Sequence, residues 1–171
     1  ILVMLAAPPG AGKSTLASFL QSLSNQYDDL TPITVIGMDG FHHYQDWLLN
    51  HFIVRDGKEV NMVSIKGAPI TFDLDLLTSR IKEVANGKEC GWPAYNRVLH
   101  NPEEDAVIVK GDIILLEGNY LLLEDEGWNE LSKMADYTIF ISSSKEFLRK
   151  RLVYRKAQGI PMHEAIQFAC Q

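Results

Sequence analysis

A run of small residues ahead of a lysine, close to the start of the chain, has the composition of a phosphate-binding loop. Residues 7–15 read APPGAGKST, between the apolar run 1–6 and a stretch with apolar residues at helical spacing. The N–H groups that open a helix, together with the helix dipole, favour a bound phosphate. In this pattern Lys13 reaches the outer phosphates of a nucleotide and the Ser14 hydroxyl ligates Mg²⁺.

The two prolines of this loop have no N–H to donate. We therefore expect the cradle for the phosphates to consist of Gly10, Ala11, Gly12, Lys13, Ser14 and Thr15. Ala7 stands where the usual pattern has glycine, and we expect the loop to close unless that position requires φ > 0. A simple turn between a core strand and a core helix explains the glycines and prolines, but not Lys-Ser-Thr at a helix start.

Two carboxylates follow apolar runs that read as strands. Asp39 comes after TVIGM, where it could take a proton from an attacking hydroxyl or help to hold Mg²⁺. An Asp before Gly is equally typical of a turn. Glu117 comes after IILL, where it could bind Mg²⁺ through water or polarise a nucleophile, or simply be a solvated loop carboxylate.

Three arginines are candidates for contact with an anion. Arg151 and Arg155 are one turn apart on a basic helix, and arginine stabilises the charge that spreads over a phosphoryl group in transfer. A solvated basic face explains the same residues. Arg97 follows Tyr95 in a proline-containing stretch, and it reads either as a contact with a substrate anion or as a surface charge.

Aromatic residues and histidines surround these positions. His42 and His43 are adjacent, so on a strand they would point to opposite faces. We therefore expect substrate contact or packing there, not a metal site. The aromatic residues that either wall a substrate pocket or belong to the core are Phe41, Tyr44, Trp47, Trp92 and Tyr95.

The elements that must position these residues alternate between strand and helix. Predicted strands cover 1–6, 34–38, 113–116 and 137–141, and predicted helices begin near 13 and cover 71–87, 128–135, 145–158 and 163–170. This alternation predicts an α/β fold with a mostly parallel sheet flanked by helices. Ligands of such sheets bind at the carboxyl ends of the strands. The phosphate loop, Asp39 and Glu117 should therefore meet at one edge.

Shorter segments give further local predictions. Asp73 is a plausible N-cap of the helix over 71–87, and Ser143 with Glu146 forms a capping-box pattern. The run 106–109 is expected to pair back toward 92–97, with 102–105 in the turn. The stretch 44–61 is left unassigned apart from a turn at Asp56-Gly57.

Length and composition predict a single domain over 1–171. Hydrophobic residues make up 46% of the chain, enough for a sizeable core, and the net charge of −6 argues against nucleic-acid or membrane-surface partners. Cys90 and Cys170 lack metal-ligand spacing and suggest the free thiols of a reducing, cytoplasmic compartment. No membrane span or signal peptide is visible. Because the sequence starts at Ile1, inside a strand, the possibility that a targeting segment was removed stays open. Assembly into a homodimer is a separate open question.

Five motifs in order carry a resemblance that covers nearly the whole chain: APPGAGKST, MDGFH, KGAPITFD, WPAYNR and ILLEGNYLL. They resemble the uridine kinase/phosphoribulokinase group of P-loop kinases, which includes the bacterial-type pantothenate kinases. The greatest similarity is to a poorly characterised branch of fructose-kinase-like or pantothenate-kinase-like proteins. The resemblance implies a P-loop NTPase fold with a substrate-binding insertion at 41–109 and a lid helix at 143–160.

The resemblance also implies roles for single residues. Lys13 and Ser14 would bind ATP phosphate and Mg²⁺, Asp39 would be the base for the substrate hydroxyl, and Glu117 would lie beside Mg²⁺. His42, Phe41, Tyr95 and Arg97 would lie on the acceptor side, and Arg151 and Arg155 would be phosphate contacts of the lid. The implied activity is phosphoryl transfer from ATP to a small-molecule hydroxyl, on a sugar, a pantothenate-like acid or a nucleoside.

Two alternatives from other classes stay open at this point. One is a regulatory or switch protein that binds ATP through its P-loop without a metabolite substrate, and the other is a nucleotide-binding chaperone or assembly factor. The chain has neither the Asn-Lys-x-Asp motif of GTPases nor the Leu-Ser-Gly-Gly signature of ABC-type ATPases.

Overall fold

A computed structural model describes residues 1–168. The strands of this part of the chain are β1 (Leu2–Ala6), β2 (Ile33–Gly37), β3 (Phe52–Arg55), β4 (Lys58–Asn61), β5 (Cys90–Asn96), β6 (Asn101–Val109), β7 (Ile113–Gly118) and β8 (Tyr137–Phe140). The helices are α1 (Lys13–Gln26), α2 (Gln45–Asn50), α3 (Leu74–Ala85), α4 (Lys145–Ala157) and α5 (Met162–Phe168). None of these helices combines the length and the apolar character needed to span a bilayer.

The central sheet has four parallel strands in the order β2-β7-β1-β8. In its register Gly37 of β2 lies beside Glu117, and Ala6 of β1 lies beside Gly118. The carboxyl ends of β1, β2 and β7 therefore lie at one level on one edge. This confirms the predicted α/β fold with a parallel sheet and helices around it.

Alternate residues of the central strands fill two cores, because successive side chains of a strand point to opposite faces. Met4 and Leu116 belong to the larger core, which also takes in the buried face of α3. Leu5 and Leu115 pack with Ala17 of α1 in the smaller core on the other face. Burial on both faces explains why β7 reads as a continuous apolar run.

The segment between β2 and β7 begins with a 3-10 turn, Met38–Phe41, and includes two antiparallel hairpins, β3–β4 and β5–β6. The indole Nε1 of Trp92 in β5 donates a 2.8 Å hydrogen bond to the Gly37 carbonyl, and Phe41 packs edge-on against the same indole. At Gly40 the backbones come so close that an added Cβ would overlap the Pro93 carbonyl. The β5–β6 hairpin is thereby held against the end of β2.

Three local predictions are wrong. Residues 102–105 lie in β6 instead of a turn, because the Asn96 side chain accepts hydrogen bonds from the Val98 and Leu99 amides and so forms the turn at 97–100. Residues 128–135 form two 3-10 segments, Trp128–Glu130 and Ser132–Met134, with i→i+3 bonds that suit apolar residues spaced by three.

The third concerns the cap of α4, which is Ser144 and not Ser143. The Ser144 hydroxyl accepts a hydrogen bond from the Phe147 amide, and Glu146 pairs with Lys150 on the helix surface. The predicted cap of α3 is confirmed, since the Asp73 carboxylate accepts from the Leu76 amide at 2.9 Å. The turn at Asp56-Gly57 is also confirmed, with φ of 51° and 73°. The last helix ends at Phe168 in the described part, and Cys170 lies outside it.

Candidate active site

The loop after β1 leads into the first turn of α1 through two glycines in the left-handed region, Gly10 (φ 84°) and Gly12 (φ 97°). Gly12 is the N-cap of α1 and no side chain caps the helix, so its first amides lack a side-chain acceptor. The Ala11 amide was expected in the phosphate cradle. Instead it donates a hydrogen bond to the Pro8 carbonyl at 3.2 Å and so closes the loop. Ala7 is buried and is not among the described non-glycine residues with φ > 0, which explains why alanine fits there.

Glu117 connects this loop to the end of β7. The Ser14 hydroxyl donates a 2.9 Å hydrogen bond to Glu117 Oε1, and Lys13 Nζ lies 3.9 Å from Glu117 Oε2. Burial raises the pKa of Glu117 above its ordinary value, and the charge of Asp39 adds to the rise. The Ser14 hydrogen bond and the Lys13 charge oppose it. A hydroxyl and a carboxylate that converge in this way form an oxygen donor set of the kind Mg²⁺ prefers.

Asp39 lies in the 3-10 turn after β2 and lines a cavity of about 370 Å³ that also reaches Lys13 and Ser14. Its backbone carbonyl accepts a 2.8 Å hydrogen bond from Nδ1 of His42. Burial lowers the pKa of His42, so the ring is neutral near pH 7. Because a carbonyl only accepts, the proton is on Nδ1 and Nε2 carries the lone pair.

The same cavity brings together several predicted residues and some that sequence reasoning missed. Tyr95, Arg97 and Arg155 line it, as predicted residues of the acceptor side and the lid helix. The lining residues that were not singled out are Pro9, Lys66, Gly67, His100 and Asn119, of which Lys66, Gly67 and His100 fall within the stretch 41–109 that was expected on the acceptor side. Lys66-Gly67 reads as a turn in the sequence. For Asn119 one sequence signal exists: it lies two residues after Glu117, at the end of β7, where ligands of a parallel sheet bind.

Phe41 does not line this cavity, which corrects its expected place on the acceptor side. Its side chain is buried and packs edge-on against Trp92, with ring centroids 4.9 Å apart. Trp92 is likewise part of the core. Trp47 stacks between His43 and His51 at the surface, with centroid distances of 3.8 and 3.7 Å.

A second cavity, of about 710 Å³, lies between the phosphate loop and α4. The loop contributes Gly10, Gly12, Lys13, Ser14 and Thr15, and α4 contributes Phe147, Lys150, Arg151, Tyr154 and Arg155. A Cβ added to Gly12 would lie 3.4 Å from Arg151 Nη1, so this guanidinium lies directly over the loop. Arg97 and Arg155 line both cavities and connect them. The arrangement can hold a polyphosphate on one side and an acceptor on the other.

The family model described as "Phosphoribulokinase / Uridine kinase family" matches residues 2–158. The protein YggC of Escherichia coli (strain K12) is 44% identical over 158 residues, which is 92% of this chain and 62% of YggC. Pantothenate kinase of Bacillus subtilis (strain 168) is 28% identical over 154 residues, which is 84% of this chain and 46% of that enzyme. The chain thus spans about half to two thirds of the length of these relatives.

The fold is also similar to a solved structure. A "putative fructose transport system kinase" from Silicibacter sp. TM1040 superposes with a TM-score of 0.86 at 30% identity, over 99% of this chain and 78% of that one. The two cavities described above therefore belong to a fold that has been observed by crystallography.

Proposed function

Because the chain belongs to the phosphoribulokinase/uridine kinase family, we propose that it transfers the γ-phosphoryl group of ATP to a hydroxyl group of a small metabolite. The observation that carries the proposal is that Lys13, Glu117 and Asp39 meet at one sheet edge, where Lys13 and Asp39 line the cavity of about 370 Å³. A P-loop without a metabolite substrate would not need a second cavity with a carboxylate beside the loop.

On this proposal the phosphate loop and α4 bind the nucleotide. Lys13, Arg151 and Arg155 neutralise the phosphates, and the free amides at the start of α1 hold them. Ser14 and Glu117 would hold Mg²⁺, which supplies charge neutralisation on the β- and γ-phosphates. Residues 143–160 act as the lid.

Asp39 acts as the general base. The acceptor hydroxyl gives its proton to the Asp39 carboxylate while its oxygen bonds to the γ-phosphorus. The bond between that phosphorus and the β–γ bridging oxygen breaks, and ADP leaves. Such catalysis consists mainly of positioning and charge stabilisation. Residues 41–109 supply the acceptor side, with His42, Tyr95 and Arg97 in contact with the acceptor.

The test measures ADP release from ATP and Mg²⁺ across hydroxyl compounds: hexoses, pentoses, pantothenate, nucleosides and glycerate. One compound should stimulate release strongly in the wild type and not in Lys13→Ala. Slow release that no compound stimulates, together with tight ATP binding, would contradict the kinase proposal and favour a regulatory ATP-binding protein.

A further inference from the structure

We propose, building on the kinase function above, that the acceptor is a small polyol with one anionic group, a carboxylate or a phosphate, which Lys66 binds. Neither cavity shape nor family membership distinguishes such a compound from a neutral sugar or nucleoside. The distinction comes from the charges and hydrogen-bonding groups that face the acceptor cavity.

The Lys66 side chain is held in place by two hydrogen bonds and keeps a third N–H donor for a ligand. Its Nζ donates to Gln45 Oε1 and to the His100 carbonyl, both at 2.7 Å, and it lies 5.3 Å from the centre of the Tyr95 ring. An ammonium group has three N–H donors, so one is left for a ligand. Both partners are neutral acceptors, which hold the side chain without cancelling its charge.

The charge of Lys66 also lacks a carboxylate partner. Lys13 has Glu117 at 3.9 Å, whereas no ion pair within 4.0 Å in residues 1–168 includes Lys66 or Arg97. The cavity thus contains the ammonium group of Lys66 without a carboxylate partner, together with Arg97, which also lines the nucleotide cavity, against the single carboxylate of Asp39. Such a charge balance favours an anionic ligand and disfavours a cationic one.

Two further polar atoms of residues that line the cavity are acceptors. Asn119 Oδ1 is buried and has no hydrogen-bond partner, alone among the side-chain atoms of the described part. A buried acceptor without a partner is costly, which a donor on the ligand would relieve. His42 Nε2 is a second acceptor, because the Nδ1 proton goes to the Asp39 carbonyl. These acceptors suit ligand hydroxyls in addition to the one that Asp39 deprotonates.

The experiment measures binding to the full chain, by calorimetry in the presence of a non-hydrolysable ATP analogue. Matched triads are glycerol, glycerate and glycerol 3-phosphate; ribose, ribonate and ribose 5-phosphate; glucose, gluconate and glucose 6-phosphate. An anionic member of at least one triad should bind about 10- to 100-fold more tightly than its neutral member, as expected for one charge-assisted hydrogen bond. Whether the acid or the phosphate binds better identifies the anion.

Two variants separate the contributions of charge and hydroxyl recognition. Lys66→Met should remove the preference for the anionic member, while Lys58→Met, at an exposed position of β4, should leave it unchanged. Asn119→Leu should lower the binding affinity for the neutral and the anionic members of a triad by the same factor. Unchanged affinity for the ATP analogue shows that each variant is folded.

The proposal is overturned if no anionic member binds better than its neutral partner, or if Lys66→Met weakens both equally. The same compounds are then tested for ADP release. Turnover of a neutral sugar by wild type and Lys66→Met alike refutes the anionic acceptor and leaves the kinase function standing. Lys66-dependent binding without any ADP release supports the anion site and contradicts the kinase function.

Discussion

The Ser14 hydroxyl donates a 2.9 Å hydrogen bond to Glu117 Oε1, which joins the first turn of α1 to the end of β7 across 103 residues of sequence. Glu117 is nevertheless in an unfavourable place for a charge, because burial raises its pKa. The contact with Ser14 and the nearby ammonium of Lys13 offset part of this cost. An unfavourable carboxylate at a proposed Mg²⁺ position suggests that stability and function conflict at this residue.

Glu117→Gln should change how stability depends on pH. In the folded wild type Glu117 keeps its proton to a higher pH than in the unfolded chain, so stability is lost as pH rises from the ordinary glutamate pKa to the raised one. The wild type should lose about 1.4 kcal/mol for each pH unit that separates these two pKa values. The variant does not titrate at position 117, so its stability should lack this loss over the same pH window, and the difference between the two proteins should change by that amount.

Urea unfolding at a series of pH values between 4.5 and 8 measures this difference directly. Glu124→Gln, which removes an exposed carboxylate, controls for the change in net charge. Parallel curves for wild type and Glu117→Gln would show that burial of the charge is not costly. The variant should also lose Mg²⁺-dependent ADP release.

Asp39→Asn should keep ATP binding and lose most turnover. The amide is close in shape to the carboxylate but cannot accept the proton of the attacking hydroxyl, and general-base assistance contributes about 10²–10⁴-fold. Steady-state ADP release gives kcat, and calorimetry gives ATP affinity. Asp46→Asn, at an exposed position of α2, is the control, and turnover near the wild-type value in Asp39→Asn would remove the assignment of the base.

Gly40→Ala should destabilise the protein by about 1–3 kcal/mol or more, as overpacking does where a backbone cannot move aside. The added Cβ would overlap the Pro93 carbonyl, which belongs to β5 and not to a flexible side chain. Denaturant unfolding measures the loss, with Gly159→Ala as control because the nearest atom to its Cβ lies 3.9 Å away. Equal stability of the two variants would mean that the hairpin shifts freely.

Arg151→Ala and Arg155→Ala should differ in which substrate they affect. Arg151 lies over Gly12 in the nucleotide cavity, whereas Arg155 lines both cavities. Loss of either guanidinium should raise the KM of the substrate that it contacts by roughly 10- to 100-fold, the range expected for a hydrogen bond to a charged group. We expect Arg151→Ala to raise KM for ATP alone and Arg155→Ala to affect both substrates. Arg55→Ala in the β3–β4 hairpin is the control, and identical kinetics of all three variants would contradict the assignment.

The sequence predicted the sheet edge well because its signals are local. A continuous apolar run marks a strand that is buried on both faces, and the residues after such runs meet when the strands are parallel. Asp39, Glu117 and the phosphate loop were found in this way, and the structure brings them together.

The acceptor side was harder to predict because its contacts are long-range. Lys66 is held by Gln45 and His100, which are 21 and 34 residues away in sequence, and neither spacing has a periodic signature. Phe41 was a candidate pocket residue as one of the aromatic residues that could wall a substrate pocket, but the close approach of β5 buries it. Tertiary packing, not propensity, decides these positions.

The register of β1, β2 and β7 has a consequence for how the chain can diverge. Ala6 lies beside Gly118 and Gly37 beside Glu117, so the residues that follow are aligned by strand length alone. One residue inserted into or deleted from any of these strands would displace the next side chain by about 3.3 Å and turn it to the other face. Changes of length are therefore expected in the hairpins β3–β4 and β5–β6, where a new acceptor can be accommodated without moving the phosphate loop or Glu117.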